Sequence, residues 1–243
     1  MGYIWRDGLE IIGNVNNILQ YAPDLKEKYP GNAAEIELIR AQALYIRALV
    51  HLNLCCCYGQ HYTYTPDASH WGVPNLSILP SANDPVLRAS VYDVYNKRII
   101  PDLEEAIGIF GSTTMDCYHA SATACEALLA RVYLYMEQWQ KASDYATTVI
   151  AKVPLTSYEN YVNMYVNIET GSEAIFRLNG FRASKDLWKF YDPVSPIARP
   201  ADTLYTFFDQ PDDIRLELLY ATKDEVKTKA CRKFYVAKDV VED

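Results

Sequence analysis

The stretch that decides the fold is EALLARVYLYMEQWQKASDYATTVI, residues 126–150. Small and apolar side chains recur at helical spacing on both sides of MEQWQ, which predicts two helices joined by a tight turn. On the 34-residue tetratricopeptide pattern, Pro154 takes the terminal proline position. We therefore expect a helical hairpin in which five small or aromatic residues are structural and pack its facing sides: Leu129, Ala130, Tyr133, Trp139 and Ala142.

Three helical segments are predicted before this hairpin. Residues 7–19 carry apolar side chains at helical spacing, and the region of Pro23 ends the pattern. Residues 33–57 contain strong helix formers and are apolar nearly all round, which predicts a long, largely buried helix. Ser90 is the expected cap of a third helix, which Pro101 should kink. Since one hairpin cannot bury its outer face, we expect these helices to stack on it.

The sequence thus predicts a mainly α protein with two parts. Residues 1–154 form a tetratricopeptide-like helical hairpin stack, an α superhelix, with a long inserted loop at about 58–89 that is rich in Gly and Pro. Residues 155–243 form a smaller, irregular and weakly β annex. Within the annex, residues 172–181 alternate as a short strand would, and residues 232–241 do so more weakly.

Composition and motifs exclude several functions. The formal net charge of −8 and the lack of a basic stripe argue against nucleic-acid binding. No sequence signature of a familiar enzyme, metal site or cofactor site is present, so we expect neither catalysis nor a cofactor. No apolar run reaches the length of a membrane-spanning helix. The adjacent cysteines Cys55, Cys56 and Cys57 are best explained by packing at a helix end.

Five segments in order carry a family resemblance. They are ALYIRALVHLNLCCCYGQHYTYTP, WGVPNL, ASVYDVYNKRIIPDLEEAI, ATACEALLARVYLYMEQWQKASDYATTVI and SEAIF. Together they resemble the SusD/RagB family of outer-membrane nutrient (glycan) binding lipoproteins of Bacteroidetes, over residues 5–235. Single segments are weak indicators, but their succession and spacing are specific.

The resemblance implies a tetratricopeptide-like scaffold, a lipid anchor on the cell-surface side of the outer membrane, and no catalysed reaction. It implies capture of an oligosaccharide or polysaccharide and its transfer to a SusC-like TonB-dependent transporter. The chain departs from the family pattern: it lacks a leader with the acylated cysteine and the outermost regions at both ends, and His119 stands where the family commonly has Arg. We therefore expect a truncated member or fragment.

Two regions are candidates for glycan contacts. Sugar rings stack on flat aromatic side chains, and their hydroxyls bond to planar or charged donors. In residues 180–200 and just before them, Trp188 and Tyr191 could supply the faces, with donors from Arg182, Lys185 and Asn179. The alternative is that both aromatic rings cover the annex core. In the long loop, Trp71 could stack on a sugar, although the sequence favours packing of its ring onto the helices.

A second function class stays open at this point. A tetratricopeptide-type adaptor would bind a peptide or partner protein in its helical groove. Such an adaptor usually repeats its hairpin in regular tandem, whereas here long insertions separate the helices and only one hairpin fits the consensus. The sequence therefore favours the non-catalytic glycan-binding protein.

Overall fold

The computed structural model describes residues 2–77, 85–166, 173–178, 190, 197–208, 213–223 and 226–231. The chain divides into two compact units, Met1–Lys152 and Val153–Asp243. Among the described residues, no helix has an apolar stretch long enough to cross a bilayer.

The first unit is a stack of helices in chain order. Its helices are α1 (Tyr3–Lys28), α2 (Ala33–Tyr58), α3 (Val91–Val94), α4 (Ile100–Phe110), α5 (Ala122–Tyr135) and α6 (Trp139–Lys152). α1 packs on α2, α2 on α4, α4 on α5, and α5 on α6. This arrangement confirms the prediction of a mainly α, tetratricopeptide-like hairpin stack.

Helix α1 runs further than its sequence suggests. The prediction that the helix ends near Pro23 is wrong, because Pro23 lies inside α1 and the helix continues to Lys28. Pro23 is exposed, while the preceding Ala22 is buried. Packing of α1 on α2 therefore outweighs the loss of one helical hydrogen bond. The two helices approach so closely at Gly8 that an added Cβ would stand 2.9 Å from a methyl carbon of Leu54.

The helix before the hairpin contains a wide turn where the sequence predicts a kink. Ser90 caps α3, as predicted, because its Oγ accepts a hydrogen bond from the Asp93 N–H at 3.0 Å. A π turn, Tyr95–Ile99, then joins α3 to α4, and the Ile100 N–H donates to the Tyr95 carbonyl. The proline ring of Pro101 would clash with the carbonyl four residues earlier in a regular α-helix, and the π turn relieves that clash.

The α5–α6 hairpin forms where residues 126–150 predict it. Leu129, Tyr133 and Ala142 are buried, whereas Ala130 is half-buried. The prediction that Trp139 packs the hairpin is wrong: its side chain is 61% exposed. Tyr145 takes that place instead, since its ring stacks on Tyr133 with a centroid distance of 5.6 Å and an interplanar angle of 15°.

The second unit is irregular. Its described elements are α7 (Tyr161–Val166), a short helix Asp202–Tyr205, a 3-10 helix Ile214–Leu219, and the antiparallel strands β1 (Tyr220–Lys223) and β2 (Val226–Lys229). The strand expected over residues 172–181 is wrong for its described part, residues 173–178, which is not a strand. Alternation alone does not make a strand without a partner to pair with. The other predicted strand, residues 232–241, lies outside the described residues.

Candidate functional site

The structure describes one of the six candidate glycan contacts. Trp71 is described, and its surroundings are given below. The other five lie outside the described residues: Asn179, Arg182, Lys185, Trp188 and Tyr191. Those five stay predictions.

The main chain at Trp71 is held in a short antiparallel pairing. Trp71 forms a β-bridge with Ser90, the Gly72 N–H donates to the Ala89 carbonyl at 2.8 Å, and the Ala89 N–H donates to the Val73 carbonyl at 3.0 Å. The chain passes close to α3 at Gly72, where an added Cβ would stand 3.1 Å from the backbone nitrogen of Val91. Despite this fixed backbone, the Trp71 side chain is 68% exposed. The interpretation that it packs the loop onto the helices is therefore wrong.

Arg88 ties this segment to the end of α2. Its Nε donates to the Gly72 carbonyl at 2.6 Å, and one terminal nitrogen donates to the Tyr58 carbonyl at 2.6 Å and the Trp71 carbonyl at 3.5 Å. Tyr58 is the last residue of α2, where the helix dipole favours a positive charge. The planar guanidinium can donate to several carbonyls at fixed angles, which a lysine cannot do.

Buried polar groups anchor the loop on the other side of Trp71. The Arg98 Nε donates to the Asn75 side-chain oxygen at 2.7 Å, and the Asn16 amide donates to the Leu76 carbonyl at 3.0 Å. Asn16 in turn accepts a hydrogen bond from Arg47 at 2.8 Å. The loop backbone is thus tied to α1, the π turn and, through Asn16, α2.

His51 lies among these groups and is fully buried. Its Nδ1 donates to the Arg47 carbonyl at 2.8 Å, since a carbonyl can only accept. Burial, together with the positive charges of Arg98 and Arg47, lowers the pKa of His51 from 6.5 to about 4. His51 is therefore neutral at pH 7 and adds no third positive charge beside the two arginines.

Two more aromatic side chains of the loop region are exposed. Tyr64 is 65% exposed and meets the His70 ring edge-on at a centroid distance of 5.4 Å. Tyr92 is 46% exposed, and its N–H donates to the Ala68 carbonyl at 2.9 Å. Exposed aromatic rings suit the apolar faces of sugar rings.

The loop is also braced against the hairpin turn. The Thr63 hydroxyl donates to a carboxylate oxygen of Glu137 at 3.0 Å. Glu137 has φ 58°, a left-handed conformation that non-glycine residues seldom adopt. This contact offsets part of the cost of that conformation and links the loop to α5 and α6.

A groove at the α1–α2 turn is a poorer candidate for sugar. It has a volume of about 610 Å³ and is lined by Leu19, Pro23, Lys26, Glu27, Pro30, Ala33, Glu37 and Arg40. These lining residues include no aromatic ring for stacking. The Lys26 and Arg40 side chains are committed to Glu37, at 3.0 and 3.2 Å.

The sequence indicates Trp71 but not the groups that hold it. Arg88 belongs to none of the five family segments, and its contacts with the Tyr58, Trp71 and Gly72 carbonyls join residues 16 to 30 positions apart in the chain. One signal was available: Arg88 is the only lysine or arginine in residues 58–90. Among the described residues, no group of three histidine, cysteine or carboxylate side chains could hold a metal ion.

The stack of helical hairpins defines a tetratricopeptide-like helical protein, and a family model matches this part of the chain. Residues 2–134 match a SusD-like family described as "Starch-binding associating with outer membrane". The chain belongs to the SusD-like family, a family of carbohydrate-binding proteins. A comparison with curated proteins gave no match.

Solved structures share the fold. A SusD superfamily protein from Bacteroides vulgatus is 24% identical, with a TM-score of 0.77 over 98% of this chain and 56% of its own. A SusD-like carbohydrate binding protein from the same species is 23% identical, with a TM-score of 0.73 over 92% and 48%. A laminarin binding SusD-like protein is 21% identical, with a TM-score of 0.69 over 96% and 58%. The chain thus spans about half the length of these structures.

Proposed function

We propose that this chain is part of a non-catalytic protein that captures oligosaccharides at the cell surface and passes them to a SusC-like TonB-dependent transporter. In this proposal the full-length protein is held at the outer membrane by a lipid anchor. The family description, "Starch-binding associating with outer membrane", supports both the ligand class and the location.

The observation that carries glycan binding is the exposed ring of Trp71 on a backbone that is pinned on both sides. A flexible backbone would lose conformational freedom on binding, whereas a backbone that is already held loses less, so more of the stacking free energy appears as affinity. Arg88 and the Trp71–Ser90 bridge supply this preorganisation. Trp188 and Tyr191 are proposed as further contacts, with Arg182, Lys185 and Asn179 as donors.

An oligosaccharide array followed by calorimetry tests glycan binding. The array identifies a retained glycan, and its affinity is then measured for the parent, Trp71→Ala and Trp188→Ala, each shown to be folded by circular dichroism. We expect each substitution to lower the affinity about tenfold, the value of a lost stacking contact. Tyr29→Ala, an exposed aromatic at the α1–α2 turn, is the matched control and should leave affinity unchanged. A folded parent that retains no glycan would overturn the proposal.

Transfer to a transporter needs a separate test. The tagged chain is incubated with detergent-solubilised outer membranes of the source organism, and retained proteins are identified by mass spectrometry. We expect enrichment of a TonB-dependent transporter over a control column that carries the unfolded chain. Equal recovery on both columns would contradict transfer while leaving glycan capture intact.

A further inference from the structure

Helix α1 carries a row of exposed aliphatic side chains along one side. The members of this row recur every seven residues, and their side chains are 41% to 62% exposed: Ile4, Ile11, Ile18 and Leu25. Seven residues make nearly two full turns of an α-helix, so these four side chains lie close to one line. The row runs beside the buried side of α1, which packs on α2. We call these four residues the α1 stripe.

The α1 stripe is typical of a helix that packs on another helix. Aliphatic residues at every seventh position form the seam of paired helices, because this repeat keeps them facing the partner as the two helices wind around each other. In a stack of helical repeats, the outermost helix usually presents a polar side to solvent, which keeps the stack soluble. The first helix of the described stack, α1, exposes an apolar row instead, which favours a contact with a further helix.

A second, more polar row lies next to the α1 stripe. It begins three residues after Ile4 and also repeats every seven residues, and its three members are exposed: Asp7, Asn14 and Tyr21. Both contacts of the Arg6 guanidinium with Asp7, at 2.8 and 2.7 Å, use the carboxylate oxygen Oδ1. The other oxygen of Asp7, Oδ2, can therefore accept a further hydrogen bond.

The α1 stripe is complementary to itself when two copies of α1 run in opposite directions. In a symmetric antiparallel pair each contact occurs twice, and the numbers of two facing residues add up to a constant, because one helix ascends as the other descends. With a two-fold axis beside Asn14, Ile4 faces Leu25 of the second copy. Ile11 then faces Ile18 of the second copy. Every member of the stripe thus meets an aliphatic side chain.

The polar row fits the same axis. Asp7 faces Tyr21 of the second copy, whose hydroxyl can donate to Oδ2. Asn14 faces its own equivalent, so the two side-chain amides can exchange hydrogen bonds. A parallel pair would instead place Asp7 against Asp7 of the second copy, where two like charges repel. Hydrogen bonding and charge therefore both favour the antiparallel pair.

We propose that the α1 stripe is an interface between two copies of this chain, which pair through antiparallel α1 helices with a two-fold axis beside Asn14. Covering the stripe and Tyr21 on both copies buries on the order of 1,000 Å², near the lower limit for a specific interface. The dimer is therefore weak, with a dissociation constant of roughly 1–100 µM. This interface is independent of glycan capture, because neither Trp71 nor residues 179–191 belong to it.

Sedimentation equilibrium of the full chain, at concentrations from about 1 to 500 µM, tests this interface. We expect a monomer–dimer equilibrium for the parent. Ile11→Glu should raise the dissociation constant at least about hundredfold, because the symmetric pair contains the substitution twice and each introduced charge loses water on association. Ile150→Glu, at an isoleucine of α6 that is 58% exposed, is the matched control and should leave the dissociation constant unchanged. Circular dichroism establishes that each variant is folded.

Mixing two variants tests the antiparallel orientation. Ile11→Glu and Ile18→Lys should each weaken the dimer when studied alone. An equimolar mixture should restore it, because the introduced carboxylate faces the introduced ammonium at one contact and two isoleucines meet at the other. In a parallel pair neither contact would be matched. Asn14→Arg places two like charges together at the two-fold axis, and its exposed position makes it the variant to use if Ile11→Glu does not fold.

Three results would overturn this interface. The first is a parent that stays monomeric up to about 500 µM. The second is a dimer that Ile11→Glu and Asn14→Arg leave intact. The third is a dimer that both variants dissociate but that the mixture of Ile11→Glu and Ile18→Lys does not restore, which would exclude the antiparallel pair. Each result leaves glycan capture standing, since the oligosaccharide array tests that function separately.

Discussion

Arg47 on α2 and Asp102 on α4 form a buried ion pair with two parallel hydrogen bonds, Nε to Oδ2 and a terminal nitrogen to Oδ1, both 2.7 Å long. The side chains are only 7% and 5% exposed. The other terminal nitrogen of Arg47 donates to Asn16 on α1. One guanidinium therefore joins three helices and supports, through Asn16, the loop backbone at Leu76.

Removing the Asp102 charge should destabilise the first unit strongly. Asp102→Asn leaves Arg47 buried without its counter-charge, and we expect the free energy of unfolding in urea to fall by about 3–5 kcal/mol. Asp93→Asn is the matched control, because its pair with the exposed Lys97 is on the surface and should contribute less than about 1 kcal/mol. Similar losses for both variants would contradict the importance of the buried pair.

Arg88 should control the mobility of the Trp71 backbone. Arg88→Lys keeps the charge but cannot reach three carbonyls at once. Gly72 and Ala89 form the pairing beside Trp71, and we expect their amide hydrogens to exchange about tenfold faster or more. This factor corresponds to a loss of about 1.4 kcal/mol in the free energy of opening this segment. Lys97→Ala serves as the control for loss of a nearby cation. Unchanged exchange in Arg88→Lys would show that the β-bridge alone holds the loop.

His51 should make stability fall in acid. Its pKa is about 4 in the folded protein and 6.5 as the ordinary value, so the unfolded chain binds the proton more readily. The contribution is complete above pH 6.5 and is lost as the pH falls through 4. It amounts to about 3 kcal/mol.

Urea unfolding from pH 7.5 to 4 measures this dependence. His51→Leu should flatten the pH dependence by about that amount. Parallel curves for the parent and His51→Leu would exclude His51 as the source.

A larger side chain at position 142 should lower the stability of the hairpin. This residue is buried on α6, and Ala142→Leu is expected to overpack the helix pair at a cost of about 1–3 kcal/mol in thermal or urea unfolding. Ala151→Leu, at an exposed position of the same helix, should stay within about 0.5 kcal/mol. If Ala142→Leu matched Ala151→Leu, the packing assigned to the hairpin would be wrong.

The sequence pattern correctly predicts the features that depend on interactions between residues close together in the chain. The bounds of α2 and the Ser90 cap follow from helix formers and a side-chain hydrogen bond, and both were correct to about one residue. The predictions for Pro23 and Trp139 are wrong because their places depend on what α1 and α6 pack against, which no short stretch encodes. The β1–β2 hairpin was missed for the same reason.

The candidate site also combines features that the sequence indicates with features that depend on distant contacts. Trp71 is a candidate from its residue type, although the sequence favours packing of its ring, and sugar binding at Trp71 stays a prediction. The main chain at Trp71 is held by Arg88, which lies 17 residues away in sequence and contacts main-chain carbonyls. Every residue has a main-chain carbonyl, so the contacts of Arg88 with these carbonyls cannot be predicted from side-chain types.

Because a π turn precedes Pro101, the number of residues from α3 to α4 determines which side chains of α4 face the core. A π turn holds one residue more than the α turn it replaces, and each helical residue turns the chain by about 100°. Deleting one residue from Tyr95–Ile99 would convert the π turn to an α turn. The helix on one side of the deletion would then be rotated by about 100° relative to the other side, so that Asp102 and Leu103 could not keep their positions while the residues before the turn keep theirs. The Asp102 carboxylate would then leave Arg47. We therefore expect homologues that keep this ion pair to keep the number of residues between Ser90 and Asp102 constant, even where their loops elsewhere differ in length.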